Sequence, residues 1–217
     1  MFSLNTVYQK LFACYGPQHW WPGETPFEIT IGAILAQNVS WLNAAKAIAS
    51  LKAHNLLTPH KLFKEDSVAI AHHIKPSGYY NQKAFAIQSF LQWFHRYDFS
   101  FDALNAIPTE LLRKELLSIK RIGYETADSI LLYALQRKVF VVDAYTKRIF
   151  TRVGFLTGNE DYMAIQAMFH EHFTGNTYDY NEFHALIVKH GKDRCTKKPA
   201  CNECCIADEC KEYDVAK

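Results

Sequence analysis

Four cysteines near the C-terminal end follow the spacing Cys195-x5-Cys201-x2-Cys204-x5-Cys210, and a fifth, Cys205, sits beside the third. Thiolates this close in sequence can converge on one centre. Four of them suit either an iron–sulfur cluster or a tetrahedral zinc ion. A disulfide framework would spread its cysteines along the chain; here only Cys14 lies elsewhere, so a metal or cluster is expected.

Two further segments carry chemistry. Residues 116–130 read Leu-Leu-Ser-Ile-Lys-Arg-Ile-Gly-Tyr-Glu-Thr-Ala-Asp-Ser-Ile. This pattern predicts a helix ending near Leu117, a turn through Lys120–Gly123 and a new helix from Tyr124. Gly123 would permit a backbone conformation that other residues resist. The amides opening the next helix would offer a phosphate site, although any helix corner can look like this. Downstream comes Val139-Phe-Val-Val-Asp143. An aspartate between an apolar run and a helical segment predicts an N-cap, and a carboxylate at such a mouth can be both cap and catalyst. Aromatic residues form a third group: Trp20-Trp21-Pro22 and Trp41 hold three of the chain's four tryptophans. Core packing accounts for Trp41 well. It accounts less well for adjacent Trp20 and Trp21, which must face different ways.

Charge supports a polyanionic partner only locally. The net charge is +2, but Lys138, Lys147, Arg148 and Arg152 form one basic stretch, and Lys189, Lys192, Arg194, Lys197 and Lys198 another. Local basic surface attracts phosphates even on a near-neutral chain. The histidine pairs His72-His73, His170-His172 and His184-His190 form no metal triad by spacing; surface or packing roles are expected.

The elements that must position these residues are helical. Leu4, Val7, Tyr8, Leu11, Phe12 and Tyr15 share one helical face. Thr25-Pro26-Phe27-Glu28 predicts a capping box opening a helix to about Ala36. Ser40 is expected to cap a helix to about Ala53, and Thr58-Pro59 to start a short one. Further helices are expected at about Tyr80–Tyr97, Pro108–Leu117, Tyr124–Leu135, 144–153, 160–173 and 179–190. Val139–Val142 is a short strand or a buried connection. The fold class is all-α, with a hydrophobic content of 49% to fill a core. The opening MFSLNTVYQK lacks the pattern of a secretory leader, and no apolar run approaches the roughly 18–20 residues that span a bilayer. No membrane association and a cytoplasmic, nucleoid-associated location are expected.

Taken in order, Ile122-Gly123-x-x-Thr126-Ala127-Asp128, Val141-Val142-Asp143 and the four-cysteine loop resemble the helix-hairpin-helix DNA glycosylases of the endonuclease III type. Gly32-Ala-Ile-Leu-Ala-Gln37-Asn38 and Gly78-Tyr-Tyr-Asn-Gln-Lys-Ala84 strengthen the resemblance. It implies a six-helix domain at 21–134, and a discontinuous domain of 1–20 plus 135–217 that carries a [4Fe–4S] cluster on Cys195, Cys201, Cys204 and Cys210. It implies a monomer that binds double-stranded DNA with a damaged base across the cleft between the domains. Asp143 would be the essential carboxylate. Gln37 and Tyr79 would enter the duplex, and Asn38 would contact DNA. Lys120, Arg121, Ile122, Gly123 and Tyr124 would hold backbone phosphates with a monovalent cation, and Lys197 and Lys198 would add contacts. The first cysteine interval, Thr196–Ala200, is one residue shorter than the family's usual one.

A second departure bears on chemistry. Bifunctional members place a lysine two residues after the hairpin glycine; here that residue is Glu125, and a carboxylate cannot form a Schiff base. A monofunctional enzyme is expected. Trp20-Trp21-Pro22, Trp41 and the Gly78 loop resemble the endonuclease III-like bacterial 3-methyladenine DNA glycosylases. That resemblance implies that Trp20, Trp21, Pro22 and Trp41 form the base pocket, with Glu125 near the flipped base or DNA. Members of that branch lack the four cysteines. The competing expectations are a glycosylase for oxidised pyrimidines or mismatched bases, and a non-catalytic protein that binds damaged DNA.

Overall fold

The structure, a computed structural model, describes residues 3–215, and no strand occurs among the described residues. The backbone forms two compact units, Trp21–Arg137 and Met1–Trp20 with Lys138–Lys217.

The first unit is built around α2, Pro26–Leu35, in which eight of ten residues are buried. A helix apolar on all sides belongs at a centre. It packs against α3 (Trp41–Ala53), α6 (Tyr80–His95), α9 (Tyr124–Ser129) and the turn that follows α9. Thr25 caps it, its hydroxyl accepting from the Glu28 amide at 3.1 Å. The expected capping box is only half made: the Glu28 carboxylate accepts from the amide of Glu24 instead of that of Thr25. Buried Glu28 is paired with Lys52 at 2.9 Å. Short helices α4 (Pro59–Leu62), α5 (Ser67–His73) and α7 (Phe101–Asn105) connect the longer ones. The hairpin is α8 (Thr109–Ser118) followed by α9. The helix expected to run on to Leu135 instead widens into a π-helical turn, Ile130–Ala134, against α2. Such turns frequently accompany functional sites.

The second unit joins α1 (Leu4–Tyr15), α10 (Ala144–Val153), α11 (Tyr162–His172), α12 (Thr177–Asp193) and α13 (Lys211–Val215). Its core is aromatic: Phe140 stacks on Phe169 at 3.8 Å, with Phe150, Phe183 and Tyr180 edge-on around them. Val139–Val142 is a buried connection and not a strand. With no sheet partner its backbone still needs hydrogen bonds, and side chains supply them. Gln166 donates to the Phe140 carbonyl at 2.6 Å, His170 accepts from the Phe140 amide at 2.9 Å, and Tyr162 accepts from the Val142 amide. This holds the segment that delivers Asp143. No helix among the described residues is long and apolar enough to cross a membrane.

Candidate active site

Asp143 stands at the N-cap of α10. Its Oδ1 accepts from the Thr146 amide at 2.7 Å and the Thr146 hydroxyl at 2.9 Å, and Thr146 is fully buried. One oxygen is thereby fixed by the helix. The other, Oδ2, faces Nε2 of His184 at 3.8 Å, and only 11% of the aspartate side chain is exposed. Burial holds His184 below the usual histidine range, against the pull of the Asp143 charge. The sequence placed His184 in packing, which is correct as far as it goes. Its contact with Asp143 crosses 41 positions and leaves no local pattern.

The aromatic residues divide. Trp21 and Trp41 meet edge-to-face at 5.1 Å, and the Tyr133 ring lies 5.3 Å from that of Trp21. Both tryptophans are half-buried and Pro22 is exposed, whereas Trp20 ends the other unit. Tyr133, buried on the π-helical turn, was not singled out by the sequence reading, because nothing local marks it within the Tyr124–Leu135 helix expected there. Gly32 explains how Trp21 reaches α2: a Cβ there would stand 2.8 Å from the indole Nε1. Gly32→Ala should gain helix propensity yet lose more to overpacking, because Trp41 and Tyr133 hem the indole in. The expected net loss is about 1 kcal/mol, read as a lower urea midpoint with a shifted tryptophan emission.

Among the described residues of the same unit, seven non-glycine positions lie in the left-handed region, and three of them are sequence-predicted DNA contacts: Asn38 (φ 53°), Tyr79 (φ 46°) and Arg121 (φ 68°). This is costly for a bulky side chain and tends to mark working sites. Tyr79 is 68% exposed. Gly123, expected to take the unusual backbone conformation, does not: its φ is −96° with ψ −176°, ordinary extended backbone. The strain falls on Arg121. A Cβ at Gly123 would meet nothing within 4 Å, so what glycine provides there is an open approach to the backbone. Lys120, Arg121, Tyr124 and Glu125 are exposed, whereas Ile122 is buried and anchors the turn. Gln37 is turned towards the hairpin, its amide donating to the Thr126 hydroxyl at 2.8 Å and the Arg121 carbonyl at 3.2 Å.

In the other unit, Cys195, Cys201, Cys204 and Cys210 all line one cavity, with Ile149, Val153 and Ile206 on its wall. Cys205 does not line this cavity and lies beside Cys14. Arg152 donates to Cys195 Sγ at 3.4 Å and to the Thr196 carbonyl at 2.6 Å, while Cys210 Sγ donates to the Arg152 carbonyl. His190, fully buried, lies 3.6 Å from Cys204 Sγ. Burial, and then the neighbouring sulfurs, push the Cys204 thiol up to about 11. A cationic group in the cavity would relieve that. Among the described residues no three His, Cys, Asp or Glu side chains meet closely enough to hold a single metal ion. Thiols ringing a small apolar-walled cavity fit a group of several atoms. Lys197 and Lys198 are exposed on the same loop.

The chain is similar to known proteins along nearly its whole length. The chain is 43% identical over 206 residues to MJ1434 of Methanocaldococcus jannaschii, a provisionally named DNA repair glycosylase, with 94% of each chain covered. It is 30% identical over 189 residues to endonuclease III of Sulfolobus acidocaldarius, covering 86% of this chain and 82% of that one. Among solved structures, the 3-methyladenine DNA glycosylase MagIII of H. pylori, bound to 1,N6-ethenoadenine, superposes with a TM-score of 0.78 at 27% identity, over 88% of this chain and 98% of that one. Residues 31–174 match the model of one family, so the chain belongs to the HhH-GPD superfamily of base excision DNA repair proteins.

Proposed function

We propose that the protein is a monofunctional DNA glycosylase that removes alkylated purines, 3-methyladenine foremost, from double-stranded DNA. The observation that carries this reading is the Trp21–Trp41 pair, whose edge-to-face packing leaves both indoles half-buried. Purines alkylated at N3 or N7 are cationic, and indole faces attract cations. The H. pylori relative is itself a glycosylase for 3-methyladenine. An extruded base stacks on Trp21 and Trp41, with Trp20 and Pro22 beside it. Because the base is already a good leaving group, little acid catalysis is needed. Asp143 stabilises the positive charge that develops on the sugar and orients or deprotonates water. Glu125, two residues after Gly123, supplies no amine for strand cleavage. Gln37 and Tyr79 enter the duplex, and Asn38 contacts DNA beside them. The Lys120–Tyr124 turn takes a backbone phosphate, aided by a monovalent cation, and Lys197 and Lys198 add charge.

Cys195, Cys201, Cys204 and Cys210 would hold a [4Fe–4S] cluster, which shapes the terminal loop. About four irons per chain with broad visible absorption are expected; one zinc per chain would overturn this assignment.

The test is incubation with alkylated duplex DNA, with borohydride present in a parallel reaction. Release of 3-methyladenine without a trapped covalent complex is expected. A trapped imine would overturn the monofunctional reading. Release confined to oxidised or mismatched bases would overturn the lesion class, and binding without release of any base would leave a damage-binding protein.

A further inference from the structure

Lys83 is a buried lysine that the proposed chemistry does not use. It lies on α6 with 3% of its surface exposed, and burial lowers its ammonium to about 8. Burying a cation is costly unless its donors are matched. Two carbonyls do the matching: Lys83 Nζ donates to Leu35 O at 2.9 Å and to Ser77 O at 2.5 Å. With two carbonyls holding it inside the unit, this amine is not placed to attack a sugar.

The position of those carbonyls matters. Leu35 ends α2, just before Gln37 and Asn38, and Ser77 precedes Gly78 and Tyr79. One ammonium thus ties the bases of two loops that are 42 residues apart. Gln37 continues the connection, since its amide bonds to Arg121 O and Thr126 Oγ1 in the hairpin. Ser77, Lys83, Leu35, Gln37 and Arg121 therefore form one line of hydrogen bonds and short backbone steps. Along it stand three of the unit's left-handed residues, Asn38, Tyr79 and Arg121. Strained backbone persists only where its surroundings over-determine it, and this line of hydrogen bonds adjoins all three positions.

We propose that Lys83 is a positioning residue that, together with Gln37, locks the Asn38, Tyr79 and Arg121 loop tips into one rigid body for entry into DNA. The lock is a property of the fold, whereas its use on DNA rests on the glycosylase reading. Hydrogen exchange and base release separate the two.

In Lys83→Met the stem is kept and both donors are lost. Amide exchange at 36–40 and 77–80 should accelerate together by about tenfold, with the rest of α3 and α8 unchanged, as for local opening. Gln37→Ala should instead loosen 36–40 and 119–123. In single-turnover assays on alkylated duplex, Lys83→Met should lower base release about tenfold while binding to undamaged duplex stays within about threefold, since extrusion and not phosphate contact is impaired. Unchanged exchange in both loops, or acceleration in only one, would overturn the lock. Altered exchange with unchanged base release would overturn its use on DNA and leave the lock standing. Should Lys83→Met fail to fold, the wild-type protein still decides. The Lys83 15N ammonium resonance should show protons protected from solvent, and a resonance exchanging like those of surface lysines would overturn the proposal.

Discussion

Asp143→Asn should leave the protein folded and bound to DNA while base release falls by about two to four orders of magnitude, the usual span for a positioned acid–base or charge-stabilising group. The geometry makes this variant unusually clean. Asparagine caps helices about as well as aspartate, and the cap of α10 needs only the oxygen that accepts from the Thr146 amide and hydroxyl. The amide nitrogen would then take the place of Oδ2, near His184. What disappears is the negative charge and the ability to take a proton from water. Asp143→Ala would confound the result, because loss of the cap alone costs about 1 kcal/mol. Single-turnover release and fluorescence anisotropy on the same alkylated duplex provide the check. A rate within about tenfold of wild type, about 1.4 kcal/mol of barrier, would remove Asp143 from the chemistry.

What the sequence disclosed, it disclosed through local chemistry. Thr25-Pro26 and Asp143 act within one turn of themselves, so their caps could be read directly: both side chains cap their helices, although the box at Thr25 is only half made. The cysteine spacing foretold four thiols in one place, and they share one cavity. What stayed hidden depends on partners distant in sequence. Lys83 looks like an ordinary surface lysine until Leu35 O and Ser77 O close on it. Cys205 looked exchangeable with its neighbours until Cys14 came beside it. The widened turn at Ile130–Ala134 answers to packing on α2, and a hydrophobic repeat cannot tell 3.6 residues per turn from a local bulge. The hairpin misled in an instructive way. Glycine was credited with the strained backbone because glycine tolerates it, yet Arg121 carries the strain and Gly123 keeps a space open.

The same hairpin gives the largest expected change in stability. Asp128, at 0% exposure, receives Arg113 Nε at 2.6 Å and Nη2 at 2.8 Å, a two-pronged pair that straps α8 to α9. The guanidinium also lies 5.2 Å from the Tyr124 ring centre. Arg113→Ala would take the two-pronged charged partner away from a fully buried carboxylate, and removing one member of such a pair typically costs about 3–5 kcal/mol. That is a large part of the roughly 5–15 kcal/mol that holds a domain together. Lysine should rescue only part of it, because a point charge cannot reproduce the planar fork. The double variant Arg113→Met with Asp128→Asn should recover most of the loss, since the penalty comes from a buried charge deprived of its guanidinium and not from any large net gain of the pair. Urea midpoints of the four proteins make the comparison. A loss below about 1 kcal/mol for Arg113→Ala, the range of a surface pair, would show that water reaches Asp128 and that the hairpin is not held by this strap. The expected order, with alanine worst and the double variant near wild type, would instead identify the aspartate of the Thr126-Ala127-Asp128 motif as a structural anchor, leaving Asp143 as the carboxylate that acts on DNA.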